Sequence, residues 1–171
     1  MKKVNLIIFF LALYSFSYAE EKVVYLDVNY LLTESKVGIY VNSNLKKISD
    51  ENNKVFKNFE AELKSDEEKL LTQQNILKKE DYDKKISELR NKFKSYQEKK
   101  NNKNKDLSLL RNNAGNVILK NINEIMTEYS KNNSISLVIQ KQSIIIGKTE
   151  LDVTNDILEL LNKKISKLEL K

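Results

Sequence analysis

The sequence predicts an α+β fold in which a long antiparallel helical hairpin, a coiled-coil arm, projects from a small β-sheet body that oligomerises. The chain has no proline and only three glycines among 171 residues, which favours few turns and long helices. Two long charged segments carry apolar side chains at the 3.5-residue spacing of a coiled coil, and β-branched runs flank them. A compact α/β enzyme is therefore not expected.

Residues 1–19 have the pattern of a secretory signal peptide. The basic start MKK precedes the apolar run VNLIIFFLALY, which is too short to span a bilayer, and SYA is a small-x-small cleavage site ending at Ala19. We expect cleavage after Ala19. An uncleaved membrane anchor is the alternative, which is disfavoured because no longer apolar run or stop-transfer pattern follows. The chain has no cysteine, so after export its stability must come from packing or oligomerisation.

The chain is mildly basic, with 30 Lys and Arg against 24 Asp and Glu. Removal of residues 1–19 takes away Lys2 and Lys3 and lowers the net charge from +6 to +4. Because both signs are interspersed, this charge indicates solvated helix faces and only weakly a polyanionic partner. Mixed charge, export and the absence of a recognition motif argue against nucleic acid as a partner.

The mature chain is expected to begin with a strand and a short helix. In KVVYLDV, residues 22–28, apolar side chains alternate in the manner of a strand. Asp27 is the predicted N-cap of one or two helical turns, and Ser35 is the predicted N-cap of a much longer helix.

The two arm helices are predicted from their apolar seams. The first seam has two registers that differ by one position, and the change lies near Phe56. The first register contains Val41, Leu45, Ile48, Val55 and Phe59, and the second contains Phe56, Leu63, Leu70 and Leu77. The second is interrupted by Lys100 and Lys103, and it contains Tyr82, Ile86, Leu89, Phe93, Tyr96, Leu107, Leu110, Ala114 and Val117. The turn is expected between Asn75 and Asp81, and one unbroken helix is the alternative.

The C-terminal part is expected to complete the body. Asn132 to Ser134 are predicted to end the preceding helix in a left-handed conformation. The stretch SLVIQKQSIIIG, residues 136–147, predicts two short strands, which with residues 22–28 make a three-stranded sheet. Thr154 is the predicted N-cap of a final helix whose buried stripe consists of Ile157, Leu161, Ile165 and Leu168.

These elements divide the chain into a signal peptide (1–19), an oligomerisation body (20–40 and 130–171) and an arm (41–129). The body has roughly 70 residues, which is marginal for an independent domain, and its sheet has too little helix to cover it. Self-association is the expected solution. The candidate interface residues are Val24, Leu26, Val138, Ile144 and Ile146.

Across its whole length the chain resembles the Skp/OmpH family of periplasmic chaperones. The resemblance rests on VVYLDVNYLLTESKVG at 23–38, the charged hairpin, SLVIQKQSIII at 136–146 and LDVTNDILELLN at 151–162. The last segment matches the family ending through Asp152, Val153, Thr154, Ile157 and Leu158. The chain departs from the family at Gln140, where Asp is common, and in the all-polar EKKNNKNK at 98–105.

The resemblance implies a homotrimer, located in the periplasm, whose arms enclose a cavity. Family members hold unfolded outer-membrane proteins there without ATP and prevent their aggregation. Anionic lipid or lipopolysaccharide is a further candidate partner. The alternative function is a structural or adaptor coiled-coil protein of the cell envelope.

Catalysis has little support in the sequence. The chain has neither histidine nor cysteine, which removes the usual nucleophile–base pairs and most zinc ligands. Carboxylate pairs such as Glu67 and Glu68 lie in hydrophilic helical surroundings, where solvated charge is the better interpretation. We expect no enzymatic activity and no cofactor.

The candidate client-binding surface is the arm seam with its flanks. Its apolar members are Phe56, Phe59, Leu63, Leu70, Tyr82, Ile86, Phe93 and Tyr96. Its basic members near the arm tip are Lys78, Lys79, Lys84 and Lys85. The alternatives are that the apolar residues only join the two helices, and that the lysines only add solubility. Adjacent apolar pairs, Val55 with Phe56 and Leu70 with Leu71, make the stripe wider than a two-helix seam requires.

Overall fold

The computed structural model describes residues 21–170, so the predicted signal peptide and its cleavage at Ala19 lie outside the described residues. Its helices and strands are, in chain order, β1 (Lys22–Leu26), α1 (Val28–Glu34), α2 (Lys36–Gln73), α3 (Lys79–Asn132), β2 (Ile135–Gln140) and α4 (Thr154–Lys164). Two short 3-10 turns, Lys141–Ser143 and Thr149–Leu151, lie between β2 and α4. A small sheet thus carries a long helical hairpin, as predicted.

Side-chain caps start the first two helices where the sequence places them. The Asp27 carboxylate accepts a hydrogen bond from the Tyr30 N–H at 2.9 Å, and the Ser35 hydroxyl accepts one from the Gly38 N–H at 3.1 Å. Each bond satisfies an N–H that has no partner within its own helix. Both predicted N-caps are confirmed.

The hairpin turn occupies residues 74–78, since α2 ends at Gln73 and α3 begins at Lys79. This position overlaps the predicted range and excludes one unbroken helix. The helices have 38 and 54 residues, which corresponds to lengths of about 57 and 81 Å. At the far end of α3, Ser134 adopts a φ of 52°, the left-handed conformation predicted for Asn132–Ser134.

The sheet of the described chain has two parallel strands, and the prediction of a third strand within 136–147 is wrong. After β2 the chain forms a 3-10 turn and then a loop that contains Ile144 to Gly147. The second edge of β1 is instead used by the segment before α4, where the Val153 N–H donates to the Tyr25 carbonyl at 3.0 Å. The isoleucine run therefore does not pair with the second edge of β1.

Thr154 is the first residue of α4 rather than its N-cap, so this predicted role is also wrong. Its hydroxyl accepts a hydrogen bond from the Asp27 N–H at 3.0 Å and donates one to the Asp152 carboxylate. The hydroxyl therefore joins the end of β1 to the start of α4, because the Asp27 N–H needs a partner at the point where the strand ends.

The body core lies where β1, α1 and α4 meet the roots of the two long helices. Leu31, Val37, Ile157 and Leu161 are fully buried in it. The predicted stripe of the last helix is confirmed at Ile157 and Leu161, whereas Ile165 and Leu168 lie beyond its end and pack on the core only in part.

At two positions of the arm helices, the buried seam residue is the neighbour of the one that the sequence predicts. Phe56 is buried while its neighbour Val55 is exposed, and Ala114 and Ile118 are buried while Val117 is exposed. The placement of Val55 and Val117 in the seam is therefore wrong. In each case the adjacent position points toward the partner helix, and the predicted residue flanks the contact.

Candidate functional site

An aromatic cluster closes the middle of the arm. It is centred on Tyr96 of α3, whose ring stacks on Phe59 at 5.6 Å between centroids and meets the edge of Phe56 at 6.0 Å. Both phenylalanines belong to α2, and Leu63 and Leu89 complete the cluster. This arm cluster holds the two helices together far from the body core.

Charged groups surround the arm cluster. The Tyr96 hydroxyl donates a hydrogen bond to the Glu60 carboxylate, and the Lys100 ammonium donates to both groups, at 2.9 Å to Tyr96 and 3.1 Å to Glu60. The Tyr96 hydrogen bond, with help from Lys100, lowers the pKa of Glu60. The hydrogen bonds with Tyr96 and Glu60 raise the pKa of Lys100 in turn. This side of the cluster therefore keeps its ion pair across the neutral pH range.

Lys92 crosses the hairpin one turn nearer the tip. Its ammonium donates to Asp66 at 2.7 Å and to Glu62 at 2.6 Å, both on α2. These bonds raise the pKa of Lys92, first through Asp66, and the bond from Lys92 lowers the pKa of Asp66. Because one lysine meets two carboxylates in one geometry, this contact helps to fix the register of the two helices.

The structure divides the predicted client-binding residues between the inside and the outside of the hairpin. Phe56, Leu63, Leu70 and Tyr96 are buried in the contact of α2 with α3. Phe59, Tyr82 and Ile86 are half-buried, and Phe93 is 49% exposed. Most of the predicted set therefore joins the two helices, which is the alternative that the sequence left open.

The exposed apolar surface of the arm lies beside the seam. Val55 is 62% exposed and Leu71 is similarly open, so each adjacent pair in the sequence has one buried and one exposed member. Ile76 in the turn is 80% exposed, and the sequence analysis missed it. Its position in the predicted turn, where no partner helix can cover a side chain, is the signal that could have identified it.

Four predicted basic residues, Lys78, Lys79, Lys84 and Lys85, lie exposed near the turn. Lys85 donates a hydrogen bond to the Gln73 side chain at 2.6 Å, which joins the two helices beside the tip. The arm tip therefore combines positive charge with the apolar side chains of Leu71 and Ile76.

The predicted interface residues of the body have different environments. Val24 and Leu26 are buried in the core of their own chain, where they present no surface to a second copy. Val138 and Ile144 are half-buried. Ile146 is 91% exposed, its neighbour Ile145 is 98% exposed, and Leu137 on β2 is also open. The apolar surface of the body is therefore concentrated on β2 and the loop that follows it.

Contacts with the buried Tyr25 hold this loop in place. The Tyr25 hydroxyl donates to the Lys148 carbonyl at 3.1 Å, and the Lys141 ammonium lies 6.0 Å from the ring centroid. A Cβ atom at Gly147 would lie 2.9 Å from the ring, so glycine permits this close approach. The loop that carries the exposed isoleucines is therefore held by contacts with the body.

Asp152 completes the base of the loop through a salt bridge with Lys141 at 2.7 Å. Burial alone raises the pKa of Asp152, but the hydrogen bonds from Lys141 and Thr154 outweigh it and hold this pKa below its usual value. The same bond from Lys141 to Asp152 raises the pKa of Lys141. The geometry of this pair depends on an ionised carboxylate.

Residues 21–170 contain no group of three or more acidic side chains placed to hold a metal ion. Within the same residues, none of the helices has both the length and the apolar character needed to cross a membrane.

The chain combines a long helical arm with a small two-stranded body. The family model described as outer membrane protein (OmpH-like) matches residues 22–161. The chain therefore belongs to the OmpH-like family.

A solved structure supports the fold independently. The chain is similar to a crystal structure of a candidate outer membrane chaperone (OmpH-like) from Caulobacter crescentus CB15, with a TM-score of 0.79 and 16% sequence identity. The similarity covers 87% of this chain and 88% of the other. At this identity the likeness concerns the fold. No curated protein matches the chain.

Proposed function

We propose that the mature protein is an ATP-independent holdase chaperone of the periplasm. It binds unfolded outer-membrane proteins in a cavity between the helical arms of a homotrimer and prevents their aggregation. Support comes from membership of the OmpH-like family and from the description of the similar Caulobacter crescentus protein as a candidate outer membrane chaperone.

One observation carries the proposal: the arm keeps apolar side chains exposed although its own seam is already closed. Val55, Leu71, Ile76 and Phe93 lie outside the contact of α2 with α3. A single exposed leucine is ordinary, but here several are spread along an otherwise charged arm. Many weak apolar contacts can retain an unfolded chain without fixing its conformation, which is what a holdase requires.

A cavity needs more than one copy, because a single hairpin encloses no space. Leu137, Ile145 and Ile146 supply an exposed apolar surface on the body that a second copy can cover. Association through this surface would set several arms side by side, so that their exposed flanks face a common space.

The exposed lysines at the arm tip suggest a second contact with anionic partners. Lys78, Lys79 and Lys84 lie near the open side chain of Ile76. Anionic lipid headgroups or lipopolysaccharide would be attracted to these charges, and the attraction would weaken as salt is added.

Aggregation of an unfolded outer-membrane β-barrel protein after dilution from urea tests the proposal by light scattering. We expect suppression at one trimer per client without ATP, and a weaker effect from the triple variant Val55→Ser, Leu71→Ser, Ile76→Ser. The control Asn53→Ser, Gln74→Ser alters exposed polar residues of the same region and should protect like the unmodified protein. Absence of protection at this ratio would favour the structural or adaptor function instead.

A further inference from the structure

The segment after α4 lies over the root of the arm. Residues 165–170, here called the tail, form neither helix nor strand, and Ile165 begins them in an extended conformation with φ −146° and ψ 132°. Ile165, Leu168 and Leu170 are half-buried and pack against the body core, while Ser166 and Lys167 are exposed. The tail begins four residues after residue 161, the last one that the family model matches.

The end of α4 is attached to both long helices, which directs the tail toward α2. The Asn162 side chain accepts a hydrogen bond from the Lys36 N–H at 2.7 Å, at the start of α2. The Lys164 ammonium contacts the Glu124 carboxylate of α3 at 2.6 Å. Because both contacts lie within three residues of the tail, its first residue has a fixed position and direction.

A groove separates the tail from α2. Leu168, Glu169 and Leu170 line one side of this root groove, and Tyr40, Asn44 and Ile48 line the other. The three helix residues follow one another at intervals of four, so they share one face of α2. Val55, seven residues after Ile48, continues the same face toward the tip and is exposed. The tail thus lies beside one end of a stripe in which the apolar side chains of Tyr40, Ile48 and Val55 alternate with polar ones, and the end at Val55 is open.

The tail has the chemistry of an extended apolar segment. Leu168 and Leu170 are two residues apart, so in an extended chain their side chains point the same way. Membrane-spanning β-strands carry apolar residues at the same alternate spacing. An unfolded client strand can therefore present to α2 the pattern that the tail presents already.

We infer that the root groove is a contact site for extended client segments with apolar residues at alternate positions, and that the tail is its intramolecular competitor. The inference rests on the proposed function and adds a location and a regulatory element to it. A client displaces the tail when its own contacts with the stripe, including Val55, are more extensive. The tail then lowers the affinity for short or poorly apolar segments, which favours long unfolded clients.

The test compares full-length mature proteins that differ only in the tail. In Leu168→Ser, Leu170→Ser the tail loses its apolar contacts, and in the control Lys167→Ser only an exposed side chain changes. The probe is a fluorescently labelled, urea-unfolded outer-membrane β-barrel protein. If the tail covers the groove nine-tenths of the time, its release tightens the apparent Kd about tenfold. The single variant Leu170→Ser should give a smaller change in the same direction, and circular dichroism confirms that each variant is folded.

A second measurement addresses the groove itself. The synthetic peptide KISKLELK, residues 164–171, should bind the doubly substituted protein, compete with the client and lose its binding when Ile48→Asp is added. Unchanged or weaker client affinity after tail release would overturn the inference, as would peptide binding without competition. If the unmodified protein binds no client at all, the proposed function fails as well, and the two failures are thereby distinguished.

Discussion

Gly38 lies at the junction of α1 and α2, where a side chain would meet the backbone of the preceding helix. A Cβ atom there would lie 2.3 Å from the Leu32 carbonyl oxygen, so the backbone must shift to admit it. We expect Gly38→Ala to lower the free energy of unfolding by about 1–3 kcal/mol, measured by urea denaturation. Gly115 in the middle of α3 is the matched control, because a Cβ atom there meets nothing within 4 Å. Gly115→Ala should raise stability by about 0.5–1 kcal/mol, and equal effects at both glycines would contradict the packing at Gly38.

Asp152 makes part of the stability of the body depend on pH. Its pKa is lowered in the folded chain by Lys141 and Thr154, so the stabilisation is complete above the unfolded value and is lost as pH falls through the lower folded value. Asp152→Asn should cost about 1.5–3 kcal/mol at pH 7, which is the contribution of a hydrogen bond to a charged group. The difference from the unmodified protein should shrink as pH falls from about 4 toward 3.

Urea denaturation at several pH values checks this expectation. Glu150→Gln is the control, because its salt bridge with Lys148 is exposed and should contribute little at any pH. A cost for Asp152→Asn that stays constant between pH 7 and pH 3 would show that the carboxylate charge is not responsible.

The arm is an element with two separate centres of packing. The body core reaches Leu45 and Ala114, and the arm cluster begins at Phe56 and Tyr96. Residues 101–106 of α3, between the two, are all exposed, although the helix continues through them. The outer arm should therefore open independently of the body.

Tyr96→Ala tests this independence. Tyr96→Ala removes the ring and its hydrogen bonds to Glu60 and Lys100, which should lower the free energy of opening of the outer arm by about 2 kcal/mol. Amide exchange in the outer arm should therefore become roughly 30-fold faster. Exchange in α1 and α4 should not change. Phe93→Ala, which removes a more exposed ring of the same helix, should have a much smaller effect. Faster exchange throughout the chain would indicate a single cooperative unit.

Elements that depend on local signals could be predicted from the sequence. Asp27 and Ser35 cap their helices because a side-chain oxygen satisfies a nearby N–H, and this requires no knowledge of the tertiary structure. The hairpin also follows from seam spacing. The prediction of a third strand was wrong because a β-branched run indicates only a preference for extended structure, and pairing is decided by the tertiary structure. The second edge of β1 is used by residues before α4 and not by the isoleucine run.

The candidate site could be predicted less well from the sequence, because the exposure of an apolar side chain on one arm helix depends on how the other helix packs against it. Val55 and Phe56 are both apolar neighbours, and only the crossing of α2 with α3 determines which of them is buried. Thr154 shows the same limit, since its hydroxyl satisfies an N–H that is distant in the chain, that of Asp27. The root groove likewise combines residues 40–48 with residues 168–170, which no local sequence pattern connects.

The whole molecule is expected to be a homotrimer joined through the body. Ile144→Asp together with Ile146→Asp would place charges on the apolar surface after β2, and burial of those charges between copies would be costly. We expect monomers or insoluble protein, measured by analytical ultracentrifugation. The control Val55→Asp, also at an exposed apolar residue but on the arm, should leave the trimer intact. A trimer that survives both changes on the body would contradict the assigned interface.

The proposed chaperone activity requires assembly, client binding and a defined stoichiometry at once. Native mass measurement of the mature protein, alone and with an unfolded outer-membrane β-barrel protein, reports all three in one experiment. The proposed function predicts a trimer alone and, without ATP, a soluble complex of three copies with one client. A monomer that remains unbound while the client aggregates would contradict it.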